Sequence, residues 1–218
     1  MSTRVENLGL IKDCGVIAVI RADESDSLFE IVKALVNGGI IAVEITMTTP
    51  SALEAIAECA KKNEGDFILG AGTVLDPETA RAAILSGAEY IVTPTLSPDV
   101  ITLGHRYDKI VIPGALTPTE ILKAWECGAD MVKVFPATAM GPQYFKDIKA
   151  PLPQIEILPT GGVNLDNAAD FISAGASAIA VGSSLVDKKA VGEGRWEVLT
   201  DIARRYVDVV RDIRRKGA

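Results

Sequence analysis

Short apolar runs rich in Val and Ile begin near Val16, Ile40, Phe67, Tyr90, Lys109, Asp130, Ile155 and Ser177, recurring roughly every 19 to 27 residues. No other feature restricts the fold as strongly. Amphipathic stretches with helical spacing fill the intervals, for example Leu28, Ile31, Val32 and Leu35, then Leu53, Ile56, Ala57 and Ala60. A strand followed by a helix, eight times over, requires a parallel sheet. Eight such units in 218 residues fit a closed (β/α)8 barrel of the TIM type better than a doubly wound sheet, which usually needs fewer. The chain therefore reads as α/β, one barrel domain over residues 1–218, with Trp196 to Arg215 as an amphipathic closing helix. No linker or low-complexity tract divides it.

Start and stop signals agree. Asp76-Pro77-Glu78 and Thr117-Pro118-Thr119-Glu120 each supply a capping residue, a proline suited to the first helical position and an early acid. Glycines in Asn37-Gly38-Gly39, Ser86-Gly87, Cys127-Gly128 and Ala174-Gly175 then end helices before the next strand.

Composition narrows the function classes. A net charge of −7 and a pI near 4.9 argue against attraction to nucleic acid, so an anionic ligand must be held by local groups. Cys14, Cys59 and Cys127 are odd in number and lack CxxC spacing, which fits a reducing cytoplasm and neither disulfides nor zinc. No signal peptide or membrane span is expected. The single histidine, His105, lies in a polar stretch and reads as a surface residue, which leaves no Ser-His-Asp triad or metal site.

Two strands carry a charge that an apolar strand does not need. In Asp130-Met131-Val132-Lys133-Val134-Phe135-Pro136, alternation puts Val132 and Val134 on one face and Met131, Lys133 and Phe135 on the other. The β-branched pair suits the helix-facing side, so Lys133 points into the barrel. The second strand repeats the pattern, with Ile41, Val43 and Ile45 outward and Ala42, Glu44 and Thr46 inward. One reading is a buried structural ion pair, although apolar residues often serve stability as well or better. The other is chemical: a desolvated lysine has a depressed pKa, and its neutral amine attacks carbonyls. Burial lowers that pKa and an ionised Glu44 raises it; the sequence leaves the balance open.

The last two strands end in Leu158-Pro159-Thr160-Gly161-Gly162-Val163-Asn164 and Ala180-Val181-Gly182-Ser183-Ser184. Either loop's glycines alone could serve only a tight turn, but in both loops together they allow close backbone approach, and backbone N–H groups can hold a phosphate without basic side chains. Thr73 in Gly70-Ala71-Gly72-Thr73, Pro94 in Thr93-Pro94-Thr95, and Pro113-Gly114 supply small and polar groups at the same mouth. Thr48 and Thr49 read as helix-capping residues before Pro50.

These segments, together with Val43-Glu44-Ile45-Thr46 and Val132-Lys133-Val134-Phe135-Pro136, resemble in order and spacing the 2-keto-3-deoxy-6-phosphogluconate aldolases, a family with bifunctional members also acting on 4-hydroxy-2-oxoglutarate. The resemblance implies Lys133 as Schiff-base lysine and Glu44 as general acid/base. It places Thr73, Pro94 and Phe135 in a pyruvate pocket and Gly161, Gly162, Gly182, Ser183 and Ser184 in phosphate loops. Thr160 matches the position where threonine accompanies the gluconate-derived substrate and valine its galactonate-derived epimer. It further implies a homotrimer, a small-molecule 2-keto acid substrate and no metal or organic cofactor. One departure stands out: several members carry an arginine where this chain has Thr48. Arg21, at the end of strand one, is the alternative carboxylate anchor, unless it pairs with Asp23 or Glu24. Two other function classes fit the same residues. One is a phosphate-binding isomerase or epimerase using Glu44 as base, and the other a non-catalytic sugar-phosphate binding protein.

Overall fold

The structure is a computed structural model that describes residues 3–21 and 27–217. Its strands are β1 (Val16–Ile20), β2 (Ala42–Thr46), β3 (Ile68–Gly72), β4 (Tyr90–Val92), β5 (Ile110–Ile112), β6 (Gly114–Ala115), β7 (Val132–Val134), β8 (Ile157–Pro159) and β9 (Ile179–Val181). The helices are α1 (Arg4–Cys14), α2 (Leu28–Asn37), α3 (Ala52–Lys62), α4 (Pro77–Leu85), α5 (Pro98–Arg106), α6 (Pro118–Glu126), α7 (Gly141–Lys149), α8 (Ala168–Ser173), α9 (Lys188–Gly192) and α10 (Trp196–Gly217).

All pairings are parallel and run β5-β4-β3-β2-β1-β9, with a second set β6-β7-β8. Two joins close the ring. A bridge between Thr160 and Ala180 links β8 to β9, and β5 and β6 are one strand interrupted at Pro113, which has no N–H for a ladder. Nine segments thus make the eight staves of a (β/α)8 barrel.

The capping signals do what their chemistry requires. Asp76 accepts from the Thr79 N–H at 2.6 Å, and Thr117 and Glu120 form a reciprocal capping box with Pro118 in the first turn. The helix-ending glycines at 87 and 128 are left-handed, with φ of 116° and 95°.

Alternation along the staves sorts the core into two layers. Val43, Ile45, Val132 and Val134 pack with the helices, whereas Ile17, Ala42, Ile68, Tyr90, Val92, Ile110, Met131, Leu158 and Ala180 fill the barrel. Ile41 departs from the expected pattern: it precedes β2 and packs against the interior group. The first helix was not legible as a barrel element. Its Ile11 is fully buried in the interior group, with Leu8 beside it, so α1 stoppers the N-terminal end. Ion pairs gather at that end. Glu156 pairs with Lys12, and Asp130 accepts from the Val111 N–H at 2.8 Å and contacts His105 Nε2 at 3.1 Å. His105 is therefore a half-buried structural residue rather than a surface one. Among the described residues, no helix is long and apolar enough to cross a membrane.

Candidate active site

The C-terminal ends of the staves bring the singled-out residues to one mouth, the end at which barrels of this architecture build their sites. Lys133 lies inward on β7 and is only 6% exposed; Glu44 lies inward on β2 and is 2% exposed. Both orientations follow from their outward Val and Ile neighbours. Among the described residues the two form no direct ion pair, yet each feels the other's charge.

Burial dominates both groups. It lowers the Lys133 pKa below the ordinary lysine value; the Glu44 charge opposes this and Arg21 reinforces it. Burial likewise raises the Glu44 pKa, against the pull of Lys133. The competition left open by the sequence therefore resolves toward a more readily neutral amine facing a more readily protonated carboxyl. By contrast, burial pushes the Cys59 thiol up to about 11, so it is no nucleophile.

Register explains the space beside the lysine. Gly114 pairs with Lys133, and any side chain on Gly114 would run into the Pro94 carbonyl. That glycine lets the loop after β4 approach, with the Thr93 hydroxyl accepting from the Gly114 N–H at 3.3 Å. Phe135 takes the next inward position, its ring centre 5.1 Å from Lys133 Nζ, and is 39% exposed at the mouth. Thr73 follows β3 in the left-handed region, φ 59°, an uncommon conformation for a β-branched residue.

Arg21 reaches the position of the missing arginine. Its Nε donates to the Thr48 hydroxyl at 3.2 Å, and Thr48 is 2.9 Å from the Thr46 hydroxyl. The Thr48 and Thr49 side chains therefore do not cap α3, whose N-cap is Ser51. The alternative partners of Arg21, Asp23 and Glu24, lie outside the described residues.

On the far side, Phe135 would lie 3.4 Å from a Cβ on Gly161. Gly162 has φ 74° and faces the Thr138 methyl, so the turn itself requires glycine there. Gly182 has open space, with Val19 atoms no nearer than 3.7 Å to a hypothetical Cβ. The Ser184 hydroxyl donates to the Val163 carbonyl at 2.9 Å, tying the two loops together. Among the described residues, the backbone N–H groups of Gly161, Gly162, Ser183 and Ser184 have no protein acceptor. Thr160 is 8% exposed and its hydroxyl is buried without a partner. Tyr90, whose inward position alternation with Val92 could have flagged, carries the other such hydroxyl.

The family model for KDPG and KHG aldolase matches residues 8–202. The chain is 32% identical, over 92% of its length and 95% of the relative's, to 2-dehydro-3-deoxy-phosphogluconate aldolase of Haemophilus influenzae. It is 38% identical to 2-dehydro-3-deoxy-6-phosphogalactonate aldolase of Escherichia coli K12, covering 78% of this chain and 83% of that one. It also superposes with TM-score 0.83 on a KDPG aldolase from Legionella pneumophila in which pyruvate was captured at low pH as a covalent carbinolamine intermediate. That pair is 27% identical, with coverage of 91% and 96%.

Proposed function

The chain belongs to the KDPG and KHG aldolase family, and from that premise we propose that this lyase cleaves 2-keto-3-deoxy-6-phosphogluconate to pyruvate and glyceraldehyde 3-phosphate through a Schiff base on Lys133. The observation that carries the reading is the buried amine with its lowered pKa, facing Glu44 across the lumen without being neutralised by direct contact. The carbinolamine in the Legionella relative supports it.

Neutral Lys133 attacks C2 of the keto acid to give a carbinolamine. Glu44, protonated more readily than an ordinary glutamate, donates a proton as water leaves. The protonated imine then draws electrons from the C3–C4 bond while Glu44, now ionised, accepts the C4-hydroxyl proton. Glyceraldehyde 3-phosphate departs, the enamine takes a proton at C3, and hydrolysis frees pyruvate and the amine. Arg21 binds the substrate carboxylate. Thr73, Pro94 and Phe135 shape the pyruvate pocket, and the N–H groups of Gly161, Gly162, Ser183 and Ser184, with Gly182 leaving access, hold the phosphate. 4-Hydroxy-2-oxoglutarate, cleaved to pyruvate and glyoxylate, is a second substrate of the same chemistry.

The galactonate-derived epimer is the rival substrate, favoured by the 38% identity to the galactonate enzyme. Thr160, the residue that accompanies the gluconate-derived substrate by resemblance and whose hydroxyl has no protein partner, favours the gluconate form; kcat/KM for the two epimers decides between them. The Schiff base itself is tested by borohydride reduction with pyruvate. One reduced adduct on the peptide carrying Lys133, with loss of activity, is expected. An unmodified and fully active protein would refute the mechanism.

A further inference from the structure

β3 presents two inward glycines, and the neighbouring strands fill the space each leaves. A side chain on Gly72 would overlap the Glu44 carboxyl, and one on Gly70 would overlap the Tyr90 ring. Register puts the three strands at one level: Gly70 pairs with Glu44 on one side and with Tyr90 on the other. The ring atoms over Gly70 are Cζ, Cε1 and Cε2, the hydroxyl-bearing end, so the phenol extends across β3 toward β2. Tyr90 is fully buried and its hydroxyl has no hydrogen-bond partner. A buried donor without a partner is unfavourable for folding, and native proteins keep few of them.

We infer that Tyr90 is a positioning residue whose hydroxyl serves as hydrogen-bond donor to the ionised carboxylate of Glu44, orienting it and favouring its charged form. The inference rests on the reading of Glu44 as the proton carrier. Burial, with the Glu44 charge adding to it, holds the Tyr90 phenol well above its ordinary pKa, so the hydroxyl keeps its proton and stays a donor. Neighbouring groups lack a donor or are engaged elsewhere: the Thr46 hydroxyl, two residues along β2, is 2.9 Å from that of Thr48. β3 offers only Gly70 and Gly72, β1 places Val19 opposite in register, and Lys133 from β7 is committed to the substrate. Arg21 acts on Lys133 and donates to Thr48.

The test is Tyr90→Phe, which keeps the ring and removes only the oxygen. A hydrogen bond to a charged acceptor favours the ionised form. Its loss should move the acid limb of the kcat/KM profile up by about one pH unit, an about tenfold loss on that limb, since one unit is a factor of ten in protonation. On the alkaline plateau kcat and KM should change by less than about twofold, because the ionised base remains. The thermal midpoint should hold at the acid end of the profile, where Glu44 is protonated and the bond to its ionised carboxylate is not made. A profile superimposable on the parent overturns the inference, as does a uniform loss at every pH with a lowered midpoint. Glu44→Gln, measured alongside, separates the two readings. Undiminished turnover in that variant removes the proton-carrier role and this inference with it. A slow Glu44→Gln beside an unshifted Tyr90→Phe removes the tyrosine's role alone.

Discussion

Gly182 offers the cleanest probe of the phosphate loops. A Cβ placed there would lie 3.7 Å from the Val19 carbonyl oxygen and 3.8 Å from Val19 Cβ, ordinary contact distances. Alanine should therefore cost no more than about 0.5 kcal/mol of stability, as at an unstrained surface position. Valine adds two methyls, which on the proposed reading enter the space of the phosphate. Losing one hydrogen bond from the Ser183 or Ser184 N–H to a charged phosphate is worth about 1.5–3 kcal/mol, which corresponds to an about ten- to hundredfold rise in KM. Steady-state pyruvate release from the phosphorylated substrate and from phosphate-free 4-hydroxy-2-oxoglutarate, on one preparation of Gly182→Val, makes the comparison. Only the first should suffer, and pyruvate trapping on Lys133 should proceed at the parent rate. Gly162→Ala is the contrasting control. It forces a Cβ onto a left-handed backbone, at about 1–2 kcal/mol, and into Thr138, so it should lower stability and impair both substrates. Equal proportional losses for the two substrates in folded Gly182→Val would refute the phosphate assignment.

Glu44→Gln should reduce kcat by about 10²–10⁴-fold, the usual worth of a general acid/base, while pyruvate trapping slows but persists; unchanged kcat would assign Glu44 to structure. Arg21→Ala should raise KM about tenfold or more for every 2-keto acid, phosphorylated or not, because a charge-assisted carboxylate contact is lost; a loss confined to phosphorylated substrates would place Arg21 elsewhere. Lys133→Met tests the buried amine through stability. A lysine whose folded pKa lies below its unfolded value near 10.5 binds fewer protons folded than unfolded between the two values, so the parent gains stability as pH rises through that window. The advantage of the methionine variant in urea midpoint should thus be largest below the lowered pKa and vanish above 10.5; a pH-independent difference would contradict the lowered pKa.

The barrel was legible because its staves are buried on both faces. Runs such as Ala42–Thr46 and Val132–Val134 stand out from amphipathic helices, and a charge inside them is conspicuous. Lys133 and Glu44 were found by that contrast alone. What stayed hidden depends on contacts across the barrel. Nothing in Arg4–Cys14 announces that Ile11 enters the lumen, since the helix has only a weak apolar face and two buried residues. Glycine letters likewise do not say what approaches them: Gly114 makes room for the Pro94 backbone, Gly162 for Thr138, and Gly70 for the Tyr90 ring. The hydroxyl chain from Arg21 through Thr48 to Thr46 links two staves and is invisible along either one.

Side chains fill the barrel from the stopper at Leu8 and Ile11 upward, which leaves the mouth as the way to Lys133. On the proposed reading, a keto acid anchored at Lys133 occupies the floor of that mouth, with its phosphate end against the exposed loops around Ser183. Traffic is then last in, first out. After bond cleavage the phosphorylated aldehyde stands between the three-carbon fragment and solvent, so it must leave before pyruvate can be released. In the synthetic direction the order would reverse: pyruvate loads first and the aldehyde closes the queue, a sequence that follows from a core packed shut beneath the site.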